Sequence, residues 1–509
     1  MVWSGWDVSV RRGFAIDVPV AKNPDGSSIT GTSLEELVID TPNSTSEELS
    51  YPTASLDPHQ AQLTVRTHYQ DSSTVVPPEN WEFVDERHAR LRPAGTAFKQ
   101  GSLYELAYQA KDPTVAGLAF AGVRDLAAYL HRSTDTANPL AGRVDEVYAF
   151  GISQPARFLH DFVYLGFNED ENGAMAFDGI LTWIAGASGG FFNYRFAQPG
   201  RTQRQHIGRW YPERLFPFAN QTLLDPYTEK ADGRLARCMK TKTCPKIFEV
   251  NSANEYWVKV GALLHTDMRG HDLEDPPNVR YYHFASFAHS PASGLGLCQQ
   301  ERNPLTAGAG LRALLVALDD WVSDRQAPPK SELPTFRDGT LVKPLPQKRA
   351  GFPAIPGVKY TGLTSTGDLF DFGPRADVGM LSILPPKLKG SPYPVLVSKT
   401  DADGNELGGI RFPDVSVPIA TYTGWALRNA ATGGDDLCDA FGQRIPFAPT
   451  KTEREKSKDP RLSIEERYPT HERYVSLVTT AARELQQKRF LLEEDAARFI
   501  KTAEASKAP

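Results

Sequence analysis

Two serines in this chain stand in settings from which a hydroxyl can attack a carbonyl. Ser153 lies in FGISQPARFL at 150–159, and Ser188 in AGASGG at 185–190. A serine becomes an exposed nucleophile when it sits on a sharp turn between a strand and a helix, a geometry usually spelled G-x-S-x-G. Ser188 has that spelling, with Gly186 and Gly190 around it, but GGFFNYRFAQPGR follows without helical period. Ser153 breaks the spelling at Pro155 and keeps the physics. Gly151 is small where the turn crosses close to its neighbours, Pro155 is tolerated in a first helical turn, and Ala156 keeps the next position small. Ser153 is the predicted nucleophile and Ser188 a decoy.

A nucleophilic serine needs a base and a carboxylate that orients the base, here expected in the chain order Ser, acid, His, each in a loop after a later strand. Of eleven histidines, His289 in FASFAHSPASG follows the strand-like VRYYHF and lies in a Ser/Pro/Gly loop. Glu255 in VNSANEYW comes just after PKIFEV and is the predicted acid. Asp267 in LLHTD is the alternative acid, though a helical stretch separates it from that strand end. The N–H of Gln154 is one expected oxyanion donor, being next after the nucleophile. Ser4, Gly5 and Trp6 in VWSGW, the first strand-to-loop junction, are the expected source of the second. This chemistry calls for no metal and no organic cofactor.

The elements that must hold these residues alternate. Before about residue 110 the signals are strand-like, in LEELVID, AQLTVRTHY, WEFVDE and SLYELAYQA. Then GLAFAGVRDLAAYLHR is helical, VDEVYAFG a strand, ARFLHDFVYLGF a helix and FDGILTWIAGA a strand, which predicts a mostly parallel α/β sheet. An irregular stretch at about 186–245 reads as a cap, with ARCMKTKTCPK as a basic loop. The expected organisation is a core over 1–330, with a β-rich insertion at about 16–100, and a β/loop-rich and helical extension over 331–509 packed on it. KTEREKSKDPR reads as a charged linker before the C-terminal helices.

Composition narrows the class. The chain has 509 residues, 40% of them hydrophobic, and a net charge of −6, which makes nucleic acid an unexpected partner. No run approaches the roughly 18 apolar residues of a membrane helix. No secretory signal opens the sequence, yet MVWSGWDVSV is an unusual start for a domain, because such a strand needs neighbours on both sides. Upstream strands are therefore expected to be missing. Cys238 and Cys244 lie close together, and both a short-loop disulfide and two buried thiols are open readings. Cys298 and Cys438 are not paired by sequence. The cap holds Arg195, Arg201, Arg204, Arg209 and Arg214, which fit either a substrate carboxylate or structural ion pairs. Phe191, Phe192, Tyr194, Trp210 and Tyr211 are expected to pack the cap.

VWSGWD, KDPTVAGLAFAGVRD, GISQPARFLHDFVYLGFNED, FDGILTWIAGA, NYRFAQPGR, NSANEYW and DPRLSIEERY together resemble a family of large bacterial α/β-hydrolase-domain proteins whose elbow reads G-x-S-Q-S-G-R. The resemblance implies an α/β-hydrolase fold, triad roles for Ser153, Glu255 and His289, and a shared cysteine pair at Cys238 and Cys244. It departs at Pro155-Ala156, where the family has Ser-Gly. It also implies an exported full-length form, since the family carries a long leading part before its VWSGWD. The expected function is hydrolysis of a small-molecule carboxylic ester. Two rivals remain: an amide or lactone hydrolase using the same residues, and a binding protein on a hydrolase fold with a dead elbow.

Overall fold

The computed structural model describes residues 1–2, 18–198, 204 and 212–506. An antiparallel sheet comes first, built from β1 (Thr30–Val38), β2 (Gln62–Arg66), β3 (Thr74–Val76) and β4 (Leu103–Lys111) in the order β1-β4-β2-β3. Its longest pair runs from Thr30 opposite Lys111 to Val38 opposite Leu103. The helix α1 (Leu118–Arg132) then leads into the second sheet.

That sheet is fully parallel: β5 (Tyr148–Ile152), β6 (Gly179–Trp183), β7 (Lys246–Ser252) and β8 (Val279–Phe284) lie side by side in chain order. Parallel strands covered on both faces read as near-continuous apolar runs, and β6 is buried along its whole length. Successive residues face opposite layers. Ile180, Ile247 and Tyr281 point to one face, with Phe120 of α1 and Phe158 and Phe162 of α2 (Gln154–Tyr164). Leu181, Phe248 and Tyr282 point to the other, where Leu314 and Leu318 of α4 (Gly308–Val322) pack; α3 (Ala253–Val258) precedes it in the chain. Phe248 stacks on Trp321 with ring centroids 5.7 Å apart. The expected α/β-hydrolase fold with a parallel sheet is the observed one.

Residues after 330 pack on the parallel sheet. Glu332 and Ile410 make parallel bridges to Tyr282 and Phe284 of β8. Ile410 and Phe412, together with Ala482 of α5 (His471–Gln487) and Ala496 of α6 (Glu493–Glu504), share one hydrophobic cluster with β6, β7 and β8. At the opposite edge β5 pairs only with β6 among the described residues, and Phe150 and Ile152 are about half exposed, at 49% and 47%.

Two local expectations are corrected. KTEREKSKDPR is no linker: Lys451–Ser457 is a helix capped by a reciprocal box between Thr450 and Glu453. Such a Thr-x-x-Glu box satisfies two N-terminal donors that would otherwise fray. ARCMKTKTCPK is likewise more than a loop, since Ala236–Thr241 is a short helix ended by Lys242 in the left-handed conformation. Both predicted and unpaired cysteines are bonded: Cys238 to Cys244, and Cys298 to Cys438 across 140 residues of sequence.

Candidate active site

Ser153 occupies the turn between β5 and α2, at φ 60° and ψ −114°. A non-glycine residue in that region is strained by about 1–3 kcal/mol, and it persists only when its surroundings impose it. Here the Ser153 N–H donates to the Trp183 carbonyl at 2.7 Å, and its carbonyl accepts the first helical bond from Arg157 N–H at 3.1 Å. The turn is tight enough that a Cβ at Gly151 would lie 2.6 Å from Ala156 N and 2.7 Å from the Pro155 carbonyl. Pro155 falls in the first turn of α2, where its missing N–H leaves no intrahelical bond unmade. Gln154 opens that helix, so its N–H belongs to the set with no intrahelical acceptor.

Three side chains form a hydrogen-bonded line. Ser153 Oγ lies 2.8 Å from His289 Nε2, and His289 Nδ1 lies 2.6 Å from Glu255 Oε1. Glu255 is fully buried at the start of α3, where its Oε2 accepts from Ser252 N–H at 3.0 Å and from Ser252 Oγ–H at 2.5 Å. This is the capping box of α3, so one oxygen caps the helix and the other orients the imidazole. His289 follows β8 and keeps 11% of its side-chain surface exposed.

The loops carrying Glu255 and His289 are held by residues 424–442. Asn254 Nδ2–H donates to the Gly424 and Asp439 carbonyls at 2.7 and 3.1 Å. Ser290 N–H donates to the Ala440 carbonyl, and Asn303 N–H to the Gly442 carbonyl. The Cys298–Cys438 bond ties the chain that follows His289 to the same segment.

Electrostatics at the line are set by burial and by Lys259. Burial pushes the Glu255 carboxyl up, but the His289 charge and hydrogen bond, Lys259 and Ser252 more than offset it and hold it below the usual carboxylate range. Burial, with the Lys259 charge second, brings the His289 imidazole below its ordinary value against the pull of Glu255. Lys259 escaped the sequence reading, although a lysine inside the apolar run YWVKVGALL was a signal for it. Its Nζ lies 3.3 Å from His289 Nδ1.

The remaining expected residues fall elsewhere. Ser188 is fully buried, and its carbonyl accepts from His160 Nδ1 while its hydroxyl has no partner among the described residues. Asp267 is engaged in its own turn, accepting from the N–H groups of Arg269 and His271 and pairing with the His271 ring. Ser4, Gly5 and Trp6 lie outside the described residues, as do Arg201, Arg209, Trp210 and Tyr211. Of the other cap arginines, Arg204 bonds the Thr67 and Gly101 carbonyls and Asp436, and Arg214 bonds the Thr366 and Val258 carbonyls. These two serve the structure. Phe191 and Phe192 are buried. No group of three or more His, Cys, Asp or Glu side chains among the described residues is arranged to hold a metal ion. No helix among the described residues is long and apolar enough to cross a membrane.

A strained serine between a parallel strand and a helix, with later loops bringing a histidine to it, is the architecture of one fold family. The family model for the alpha/beta hydrolase domain matches residues 78–501, and the chain belongs to that family. Comparison with curated proteins and with solved structures finds no match. Membership of this family makes the protein a hydrolase by class, with small molecules as the expected substrates.

Proposed function

We propose that this hydrolase cleaves carboxylic esters through an acyl-enzyme, with Ser153 as nucleophile, His289 as general base and acid, and Glu255 as the carboxylate that orients it. The observation that carries this reading is the unbroken line from Ser153 Oγ through His289 to Glu255, at 2.8 and 2.6 Å. His289 Nε2 takes the hydroxyl proton as Oγ bonds the ester carbon, and the carbonyl electron pair moves onto oxygen. The Gln154 N–H, in the first turn of α2 where it has no intrahelical acceptor, donates to that oxyanion. As the carbonyl re-forms, the alkoxide leaves with the proton from His289. Water then repeats the sequence on the acyl-Ser153 ester and releases the acid.

Two disulfides support folding in an oxidising compartment, which fits an exported protein. The test combines labelling with a fluorophosphonate and hydrolysis of a panel of p-nitrophenyl esters. Ser153→Ala removes labelling and lowers turnover by several powers of ten, whereas Ser188→Ala keeps both. Equal loss in the two variants, or loss at Ser188 alone, overturns the reading.

A further inference from the structure

Resting on the hydrolase reading above, we propose that Lys259 is a positioning residue that acts through His289, and that turnover runs only through the form in which the lysine amine and the imidazole are both neutral. Lys259 is buried, and among the described residues it makes no ion pair with a carboxylate. Among the described residues, the one polar side chain within hydrogen-bond reach of its Nζ is His289, at 3.3 Å from Nδ1. That Nδ1 proton is already committed to Glu255 at 2.6 Å. The amine therefore gains no strong bond from the imidazole and meets it chiefly as a charge.

The consequence follows from the reaction itself. When the Ser153 proton reaches Nε2, the ring becomes an imidazolium, and an ammonium 3.3 Å away in a buried setting opposes that charge directly. A neutral amine does not. Lys259 neither takes nor gives a proton during the cycle; it must only have lost its own beforehand.

The groups around it make that loss accessible near neutrality. Glu255 faces it from α3, Arg157 from α2, and Glu213 and Arg214 from the stretch after residue 211. Arg157 is matched by Glu213 in a buried pair at 2.7 Å, while Arg214 bonds only carbonyls among the described residues. Burial, followed by the Arg157 charge, brings the ammonium down to about 7 against the pull of Glu255 and Glu213. The main chain at this position is pinned as well: Lys259 N–H donates to the Glu255 carbonyl and its own carbonyl accepts from Ala187 N–H, both at 3.0 Å.

Fluorophosphonate labelling rates and p-nitrophenyl acetate hydrolysis, followed from about pH 5 to about pH 9, test the proposal on the intact protein. In the wild type both rates fall on the acid side with a dependence approaching second order in protons, because two groups must be unprotonated. Lys259→Met shows a first-order fall. Lys259→Arg, charged at every pH, is slower by about tenfold or more throughout and does not recover at alkaline pH. A wild-type profile with no acid-side ionisation near pH 7 overturns the proposal even if neither variant folds, and so does an arginine variant as fast as the wild type. A wild type that is never labelled at any pH overturns the hydrolase reading, and this proposal with it.

Discussion

Replacing Glu255 by glutamine removes one charge and almost no volume, and the two oxygens of Glu255 have different partners that dictate how the amide must sit. Oε2 faces the Ser252 N–H and hydroxyl, and Oε1 faces His289 Nδ1. A backbone N–H can only donate, so the amide oxygen takes the Oε2 position and the amide NH₂ turns toward His289. Nδ1 must then accept, which moves the ring proton to Nε2, where it faces Ser153 Oγ and leaves the hydroxyl without a base. The opposite amide orientation sets donor against donor in a fully buried place, at a cost of about 1–3 kcal/mol, so it is populated at roughly one part in ten to one part in a hundred. Even that fraction lacks the negative charge beside the forming imidazolium, worth about 4 kcal/mol for unit charges about 4 Å apart at an effective dielectric of about 20. The product is a loss of about 10⁴-fold in kcat/KM, the size generally seen when a triad carboxylate becomes an amide. The assay is p-nitrophenyl ester hydrolysis beside a thermal melt, with Asp267→Asn as the control that keeps activity. A Glu255→Gln protein that melts like the wild type and hydrolyses within tenfold of it would refute the reasoning.

Other outcomes follow from the same structure. Ser153→Gly is inactive yet more stable than Ser153→Ala by about 0.5–2 kcal/mol in chemical denaturation, because glycine relieves the φ 60° strain and returns only part of the gain as backbone entropy; an alanine variant at least as stable as the glycine one would contradict this. Removing the Cys298–Cys438 bond costs up to about 5 kcal/mol and removing Cys238–Cys244 about 2, on the chain-entropy account of loops spanning 140 and 6 residues. Paired Cys→Ser variants compared by melting, with the same or the reverse ranking, would refute that account.

The elbow was legible because its constraints are local. Gly151, the small Ala156 and a proline tolerated in the first helical turn all act within a few residues, and a strand-helix alternation on either side supplied the fold. The Ser252-x-x-Glu255 spacing was also readable as a capping box, although its second use, fixing one carboxylate oxygen so that the other faces His289, depends on a residue 34 positions away. Lys259 was missed for a related reason. A lysine is ordinarily a solvated surface group, and only the packing of α2, α3 and the 186–187 turn around it makes it a buried one. The pairing of Arg157 with Glu213 and the hold of residues 439–442 on both loops are contacts between distant segments, which no local pattern encodes. The helix at Lys451–Ser457 is the opposite case: its capping box was present in the letters, and its charge content hid it.

The stretch from Gly424 to Gly442 bears on when the site takes its shape during synthesis. A ribosome that has released the first 330 residues has already supplied Ser153, Glu255 and His289, yet the carbonyls of Gly424, Asp439, Ala440 and Gly442 that hold their loops are still untranslated. The Cys298–Cys438 bond cannot close until later still, after both thiols meet an oxidant. Proteins are made from the N-terminus onward, so Ser153 emerges before Glu255 and His289, and the segments that hold their loops emerge after all three. The alignment of Ser153, Glu255 and His289 therefore waits on residues 424–442, and a product ended before them carries the three side chains without these hydrogen bonds.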